Sequence, residues 1–154
     1  MGTHLMILNL GVVDQPYRAN GSRKPSTRIL GITTGQVAKI LEDRYGIMEA
    51  YYERHGREIA KSFSNSLSGG IESLLAGHRV DPFGKAMQEI RQGFRDFIMK
   101  QEIESMGLRG VPTKAALKGI NHRLRHPYRK SNPRRPSFVD TGLYVASFRA
   151  WMEL

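Results

Sequence analysis

The sequence has no cysteine, which excludes disulfides, thiolate metal sites and cysteine nucleophiles and points to folding in a reducing cytoplasm. It also lacks any apolar run near the roughly 20 residues that a membrane-spanning helix needs. The apolar stretch at residues 5–13 is short, alternates with polar positions and has no basic region before it, so no secretory signal is expected. Residues 1–5 precede a second methionine, Met6, which is an alternative native start. The third scarcity is local. Between Glu104 and Asp140 there is no acidic residue, while Arg109, Lys114, Lys118, Arg123, Arg125, Arg129, Lys130, Arg134 and Arg135 all occur. Removing these nine from the 24 basic residues leaves 15 against 14 acidic ones, so the net charge of +10 belongs to one segment. Such a segment is a local surface, not a general affinity for polyanions.

What remains is ordinary for a folded domain. Apolar residues make up 40% of the 154 and charged residues 25%, which fits one globular unit with a real core. Leu8, Leu10 and Val12 alternate as in a strand, followed by a Pro, Gly, Asn and Ser-rich loop over residues 14–25. Residues 1–32 therefore form an extended arm and loop, which packs either on a neighbouring subunit or as an edge strand of its own domain. Residues 33–154 form a helix-rich domain.

Thr33 and Gln36 make a capping box, and Val37, Ile40, Leu41, Met48, Tyr52 and Ile59 continue at helical spacing. Gly46 and Gly56 fall inside this pattern and each costs about 1 kcal/mol relative to alanine, so a break is expected near His55 and Gly56. A second helical pattern through Ile59, Phe63, Leu67, Leu74 and Leu75 is expected to be interrupted at residues 68–70. The clearest helix covers residues 81–106, with Asp81 as N-cap and Pro82 in the first turn. Phe83, Ala86, Met87, Ile90, Phe94, Phe97 and Ile98 make its apolar stripe. A shorter helix is expected over 113–124, an irregular basic loop over 128–137, a helical turn over 143–147, and a strand or further helix over 148–152. The fold class is α+β: a helix-rich single domain with a small sheet near the C-terminus and an extended N-terminal arm.

No catalytic framework is visible. His122 and His126 are four residues apart, as helical metal ligands are, but arginines lie between them, Pro127 follows, and no carboxylate is near in sequence. The glycines at 69–70 and at 31 and 35 lack phosphate-loop spacing. No cofactor, metal or enzymatic activity is expected. The basic segment has no zinc ligands, aromatic RNA platform or basic zipper. It remains open to protein contact, proximity to nucleic acid, or plain solvation. Tyr144, Phe148 and Trp151 are either core residues or interface anchors.

The most informative tripeptide is Asp140-Thr141-Gly142. In aspartic proteases it supplies half of a catalytic carboxylate pair, but only 12 residues follow Gly142 here, too few for the remaining strands and flap. The alternative is a structural corner in which Asp140 caps a short helix and Gly142 permits a close turn. Pro136, Val139, Asp140, Thr141, Gly142, Leu143 or Tyr144, and Ser147, with Pro112-Thr113 and Lys118-Gly119 upstream, resemble the signature of bacteriophage tail-completion and head–tail joining (neck) proteins, a group that is minor tail protein-like. The likeness covers roughly the last third of the chain, and it departs from the pattern in the long basic insertion between Gly119 and Asp140. It implies a structural virion component at the neck or tail junction, assembled in the host cytoplasm in several symmetry-related copies. Its implied partners are a connector or adaptor, a tail terminator and the tail tube, with packaged DNA nearby. The competing reading is a small nucleic-acid-binding protein using residues 109–135.

Overall fold

The computed structural model describes residues 6–17 and 31–153. Of the expected loop at 14–25, the part from residue 18 onward lies outside the described residues, as do residues 1–5. The elements run β1 (Ile7–Val12), α1 (Thr34–Tyr45), α2 (Ile47–Leu75), α3 (Gly84–Met99), a 3₁₀ turn (Glu102–Ser105), α4 (Lys114–Leu117), α5 (Leu143–Ser147) and β2 (Phe148–Glu153). This is the α+β, helix-rich domain expected, and its one sheet pairs the two ends of the described chain.

Helix α1 begins with the capping box, Thr33 Oγ1 accepting from the Gln36 N–H and Gln36 Oε1 accepting from the Thr33 N–H. It ends at Gly46, which is left-handed (φ 57°). Helix α2 follows at once without a side-chain N-cap of its own. Instead the carboxylate of Glu42, on α1, accepts from the Met48 and Glu49 N–H groups at 2.8 and 3.1 Å. That satisfies two otherwise orphaned donors and sets a negative charge at the positive end of the helix dipole.

The 29 residues of α2 run about 44 Å without the expected breaks at Gly56 and at 68–70; the chain breaks at Gly46 instead. The reason lies outside the helix. A Cβ on Gly70 would sit 2.8 Å from Pro82 Cβ and 2.9 Å from Pro82 Cα, so the glycine is a notch that admits the crossing chain. Next to it Ser66 Oγ donates to the Pro82 carbonyl at 2.8 Å. Tertiary contact thus offsets the low helix propensity of glycine. The apolar face is also shifted from expectation. Tyr51 is buried and Tyr52 exposed, and Ile40, Leu67, Leu74 and Leu75 face solvent.

Helix α3 starts two residues later than its sequence signal, with Phe83 and not Asp81 at the N-cap position. Asp81 Oδ1 accepts from the Phe83 N–H, closing a turn before the helix, not capping it. Its C-terminal limit is Met99, after which Gln101 is left-handed (φ 62°) and a 3₁₀ turn replaces the last expected turn of helix. The stripe itself is as expected: Ala86, Ile90, Phe94, Phe97 and Ile98 are buried.

Strands β1 and β2 pair antiparallel, with Leu8 opposite Met152, Leu10 opposite Ala150 and Val12 opposite Phe148. Because side chains alternate along a strand, Leu8, Leu10, Val12, Phe148 and Ala150 join the core, while Asn9 and Trp151 lie on the other face. The Phe148 ring stacks on Phe94 with centroids 3.8 Å apart and an interplanar angle of 10°. Tyr51 meets Phe94 edge-on at 5.4 Å, and its hydroxyl donates to the Ile90 carbonyl at 2.9 Å. Burial, then the nearby carboxylates, push this phenol to about 12, so it stays a neutral donor.

Candidate functional site

Most of the residues singled out from the sequence lie in the segment 111–142, which folds back on itself. Thr113 caps α4, accepting from the Ala116 N–H, but the helix stops at Leu117 and does not reach 124. Its termination is built into Gly119. That residue is left-handed (φ 66°), and a Cβ on it would stand 2.5 Å from the Asn132 carbonyl oxygen and 2.7 Å from that of Pro133. Only glycine meets both demands. Three residues before Gly119, the Ala116 carbonyl accepts from the Arg135 N–H at 3.3 Å. The long insertion therefore leaves and returns at the same place, so Lys118-Gly119 and the Asp-Thr-Gly corner are neighbours in space despite the residues between them.

Polar bonds hold the loop between those ends. Asn132 Nδ2 donates to the carbonyls of His126 (2.9 Å) and Pro127 (3.0 Å), and the Asn121 N–H donates to the Pro127 carbonyl at 3.2 Å. The four-residue spacing of His122 and His126 does not become a helical face. His122 turns to the corner: its backbone N–H donates to Asp140 Oδ1 at 2.8 Å, and its Nδ1 lies 2.5 Å from Asp140 Oδ2. A carboxylate only accepts, which places a proton on Nδ1, and Nε2 is in hydrogen-bond contact with the Tyr128 hydroxyl at 2.9 Å. Chemically this line of carboxylate, imidazole and phenol ties the loop to the corner. The imidazole and carboxylate are partly open to water and the phenol is largely exposed. Among the described residues no cluster of three His, Asp or Glu side chains is placed to hold a metal ion.

Asp140 is thus not the helix cap expected of it. Helix α5 has Gly142 at its N-cap position, left-handed (φ 83°), with no side-chain cap. Thr141 Oγ1 accepts from the Leu143 N–H at 3.3 Å. No atom lies within 4 Å of a Cβ built on Gly142, so its backbone angle is what calls for glycine, not a close neighbour. Pro136 accepts from the Val139 N–H at 3.4 Å, and Val139 is buried in the core. Ser147 is buried too, with Oγ donating to the Tyr144 carbonyl and its own carbonyl accepting from the Val13 N–H, both at 2.8 Å. The corner thereby positions both strands.

Two residues of the basic set are not free surface. Arg135 is buried, its Nε donating to the Ile120 carbonyl and its Nη1 to the Pro136 carbonyl at 3.1 Å, with Asp140 Oδ1 3.9 Å from Nη2. Burial lowers its guanidinium from the usual range, and the Asp140 carboxylate works against that shift. Arg134 pairs with Glu104. Glu104, which the sequence marks only as the last acid before the basic run, is a hub. Its Oε1 accepts from both the N–H and the hydroxyl of buried Ser137, at 3.0 and 2.8 Å, and Ser137 Oγ accepts from the Thr113 N–H at 3.0 Å. Arg109, Lys114, Lys118, Arg123, Arg125, Arg129 and Lys130 remain exposed, without a carboxylate partner among the described residues.

Of the aromatic trio, Tyr144 and Phe148 are core residues and so cannot be surface anchors, while Trp151 is 47% exposed. The chain matches no protein-family model, no curated protein and no solved structure.

Proposed function

We propose that this protein is a structural virion component of a long-tailed bacteriophage, acting at the neck or tail junction in tail completion or head–tail joining, and working by assembly without catalysis. The observation that carries the reading is the loop at 120–134: a cationic surface preformed by its own hydrogen bonds and mounted on the corner whose residues resemble the neck signature. The segments of that signature, Pro112-Thr113, Lys118-Gly119 and Pro136 to Ser147, adjoin through the Thr113–Ser137 and Ala116–Arg135 bonds, which supports treating them as one unit. A concentrated positive surface gains free energy only opposite something negative, such as an acidic face of a connector, terminator or tube subunit. Holding the loop in one shape lowers the ordering cost on docking. Several copies arranged symmetrically would present a ring of such loops, in a virion assembled in the host cytoplasm.

The test is complementation with a gene carrying Arg123→Gln, Arg125→Gln, Arg129→Gln and Lys130→Gln, with particles counted by electron microscopy. The expected result is free tails beside DNA-filled heads. Normal yields of infectious tailed particles would remove the loop from the mechanism.

The seven cations without carboxylate partners favour one second reading, a small nucleic-acid-binding protein. A salt series separates the two. Phosphate contacts weaken steeply and linearly in log salt, whereas an assembly contact that buries apolar area survives.

A further inference from the structure

Helix α2 outruns the domain that it supports. Past Gly70, where Pro82 crosses it, none of its residues is buried. Ile71, Leu74 and Leu75 are exposed there, Leu75 by 85%. Burial of apolar surface is the dominant favourable contribution to folding and association, so three such side chains left bare on a projecting helix end call for a cover. Earlier on the same face, α2 borders an open apolar groove of about 640 Å³. Gly56, Ala60, Ser64 and Leu67 line it along the helix, and Met6, Ile7 and Met152 line it on the side of the sheet. A Cβ on Gly56 would meet nothing within 4 Å, so the hollow is open at that point.

A ridge and a hollow of equal spacing thus lie on one helix. Leu67, Ile71 and Leu75 follow each other at four-residue steps, and so do Gly56, Ala60 and Ser64. Rows of this spacing form the ridges and grooves by which helices interlock. The two rows mirror each other about a point between Asn65 and Ser66. When the helix is laid antiparallel on its own copy about that point, Ser64 falls opposite Leu67, Ala60 opposite Ile71 and Gly56 opposite Leu75, so a large side chain meets a small one at each place. A two-fold contact of this kind uses the same patch on both chains. Its centre is free of charge, since α2 has no ionisable side chain between Lys61 and Glu72, and interface centres are depleted of charge because desolvating it is costly. The large side chains of groove and ridge together equal nearly four fully exposed residues. At about 150 Å² each, that is on the order of 600 Å² per copy, near the roughly 800 Å² per partner of a stable interface and at the limit of what a monomer leaves bare.

We infer that α2 pairs with α2 of a second copy of this chain, antiparallel about a two-fold axis between Asn65 and Ser66, the ridge of each entering the groove of the other. The inference goes beyond the neck reading and does not rest on it. No residue of the basic loop takes part in the contact, so the oligomeric state of the isolated protein and the outcome of complementation are decided separately.

The experiment is sedimentation equilibrium of the full chain over a range of concentrations and salt. A dimer is expected to predominate at about 100 μM and to persist at high salt, because screening weakens contacts between charges and not apolar ones. Ile71→Glu should weaken it at least tenfold, since each chain then buries an unpaired carboxylate, and Ala60→Lys should do the same with an ammonium group. Mixing these two variants should restore the dimer: the new carboxylate of one chain faces the new ammonium of the other, and the second pair of positions is unaltered. Both sites are exposed, a retained circular-dichroism spectrum checks that each variant folds, and Leu75→Glu serves in place of Ile71→Glu for the weakening should that one not. A monomer at every concentration overturns the inference; if a chain begun at Met6 then dimerises, the groove belongs to residues 1–5 of its own chain. A dimer that dissolves in salt, that survives both Ile71→Glu and Leu75→Glu, or that mixing fails to restore overturns the contact.

Discussion

Helix α3 and the loop at 120–134 are both fixed in shape, by opposite means. Helix α3 is held by burial: Phe94, Phe97 and Ile98 have no exposure, and the Phe94 ring is sandwiched into an aromatic cluster. The loop buries little. It is held by carboxylates and carbonyls placed around it, chiefly Glu104, Asp140 and the backbone oxygens of residues 116, 120, 126 and 127. Apolar burial is non-directional and sums over area, so α3 tolerates shifts in its ends while keeping its stripe. Polar tethering is directional, and each donor has a named acceptor whose loss strands it.

The largest effect should therefore come from the core. Phe94→Ala is expected to cost about 3–5 kcal/mol in chemical denaturation, since it removes a fully buried stacked ring; an unchanged midpoint would show that the stack with Phe148 does not support the fold. Glu104→Ala should come next, at about 2–3 kcal/mol, because it strands the Ser137 donors and the Arg134 guanidinium together. Glu104→Gln, which keeps an acceptor, should recover part of that loss. Smaller again is Asp140→Ala. The pair with His122 is partly exposed, so about 0.5–1 kcal/mol is expected. Its signature is local: amide shifts confined to the loop and corner. Shifts spreading into α3 would erase the distinction between the two regions.

The mildest test is acidification. Asp14, just past β1, has its pKa lowered by the Thr33 side chain and then by the Gly35 N–H, which donates to Oδ1 at 2.8 Å. A depressed carboxylate stabilises the fold above its ordinary range and loses that contribution as pH falls through the folded-state value. Melting followed from pH 7 downward should show a shallower acid limb in Asp14→Asn than in the unaltered protein, while Phe94→Ala shifts the whole curve without changing that limb.

The same contrast explains what the sequence reveals. The stripe of α3 is legible because burial on one side of a helix imposes a 3.6-residue period, and the capping box at Thr33 and the alternation of Leu8, Leu10 and Val12 are legible because they too are local patterns, whereas residues 148–152 read as either strand or helix. The continuity of α2 is not legible. Whether Gly70 breaks a helix depends on Pro82, which packs into it from another part of the chain. Tyr51 and Tyr52 are adjacent and chemically identical, and only the position of α3 decides which is buried. The site is less legible still. Arg134 and Arg135 look alike in a basic run, yet one pairs at the surface and the other is buried among carbonyls. Asp140 carries a capping motif but bonds to His122, and no periodicity links Glu104 to Ser137. The corner could be located from its tripeptide, while its bonding partners come from long-range folding.

The pairing of β1 with β2 sets an order on biosynthesis. The strand that leaves the ribosome first waits for the last one, and Phe148, which completes the aromatic cluster over Phe94, arrives with that late partner. Long-range closure of this kind slows folding. Until β2 arrives α3 can pack on α2, but the part of its inner face that β2 covers, and the pairing edge of β1, stay open, and such partly covered chains are aggregation-prone. A ribosome stalled before Phe148 would hold a chain with its helices made and its core open, so yield in the cell should respond to chaperone supply more strongly than the stability of the finished protein would indicate.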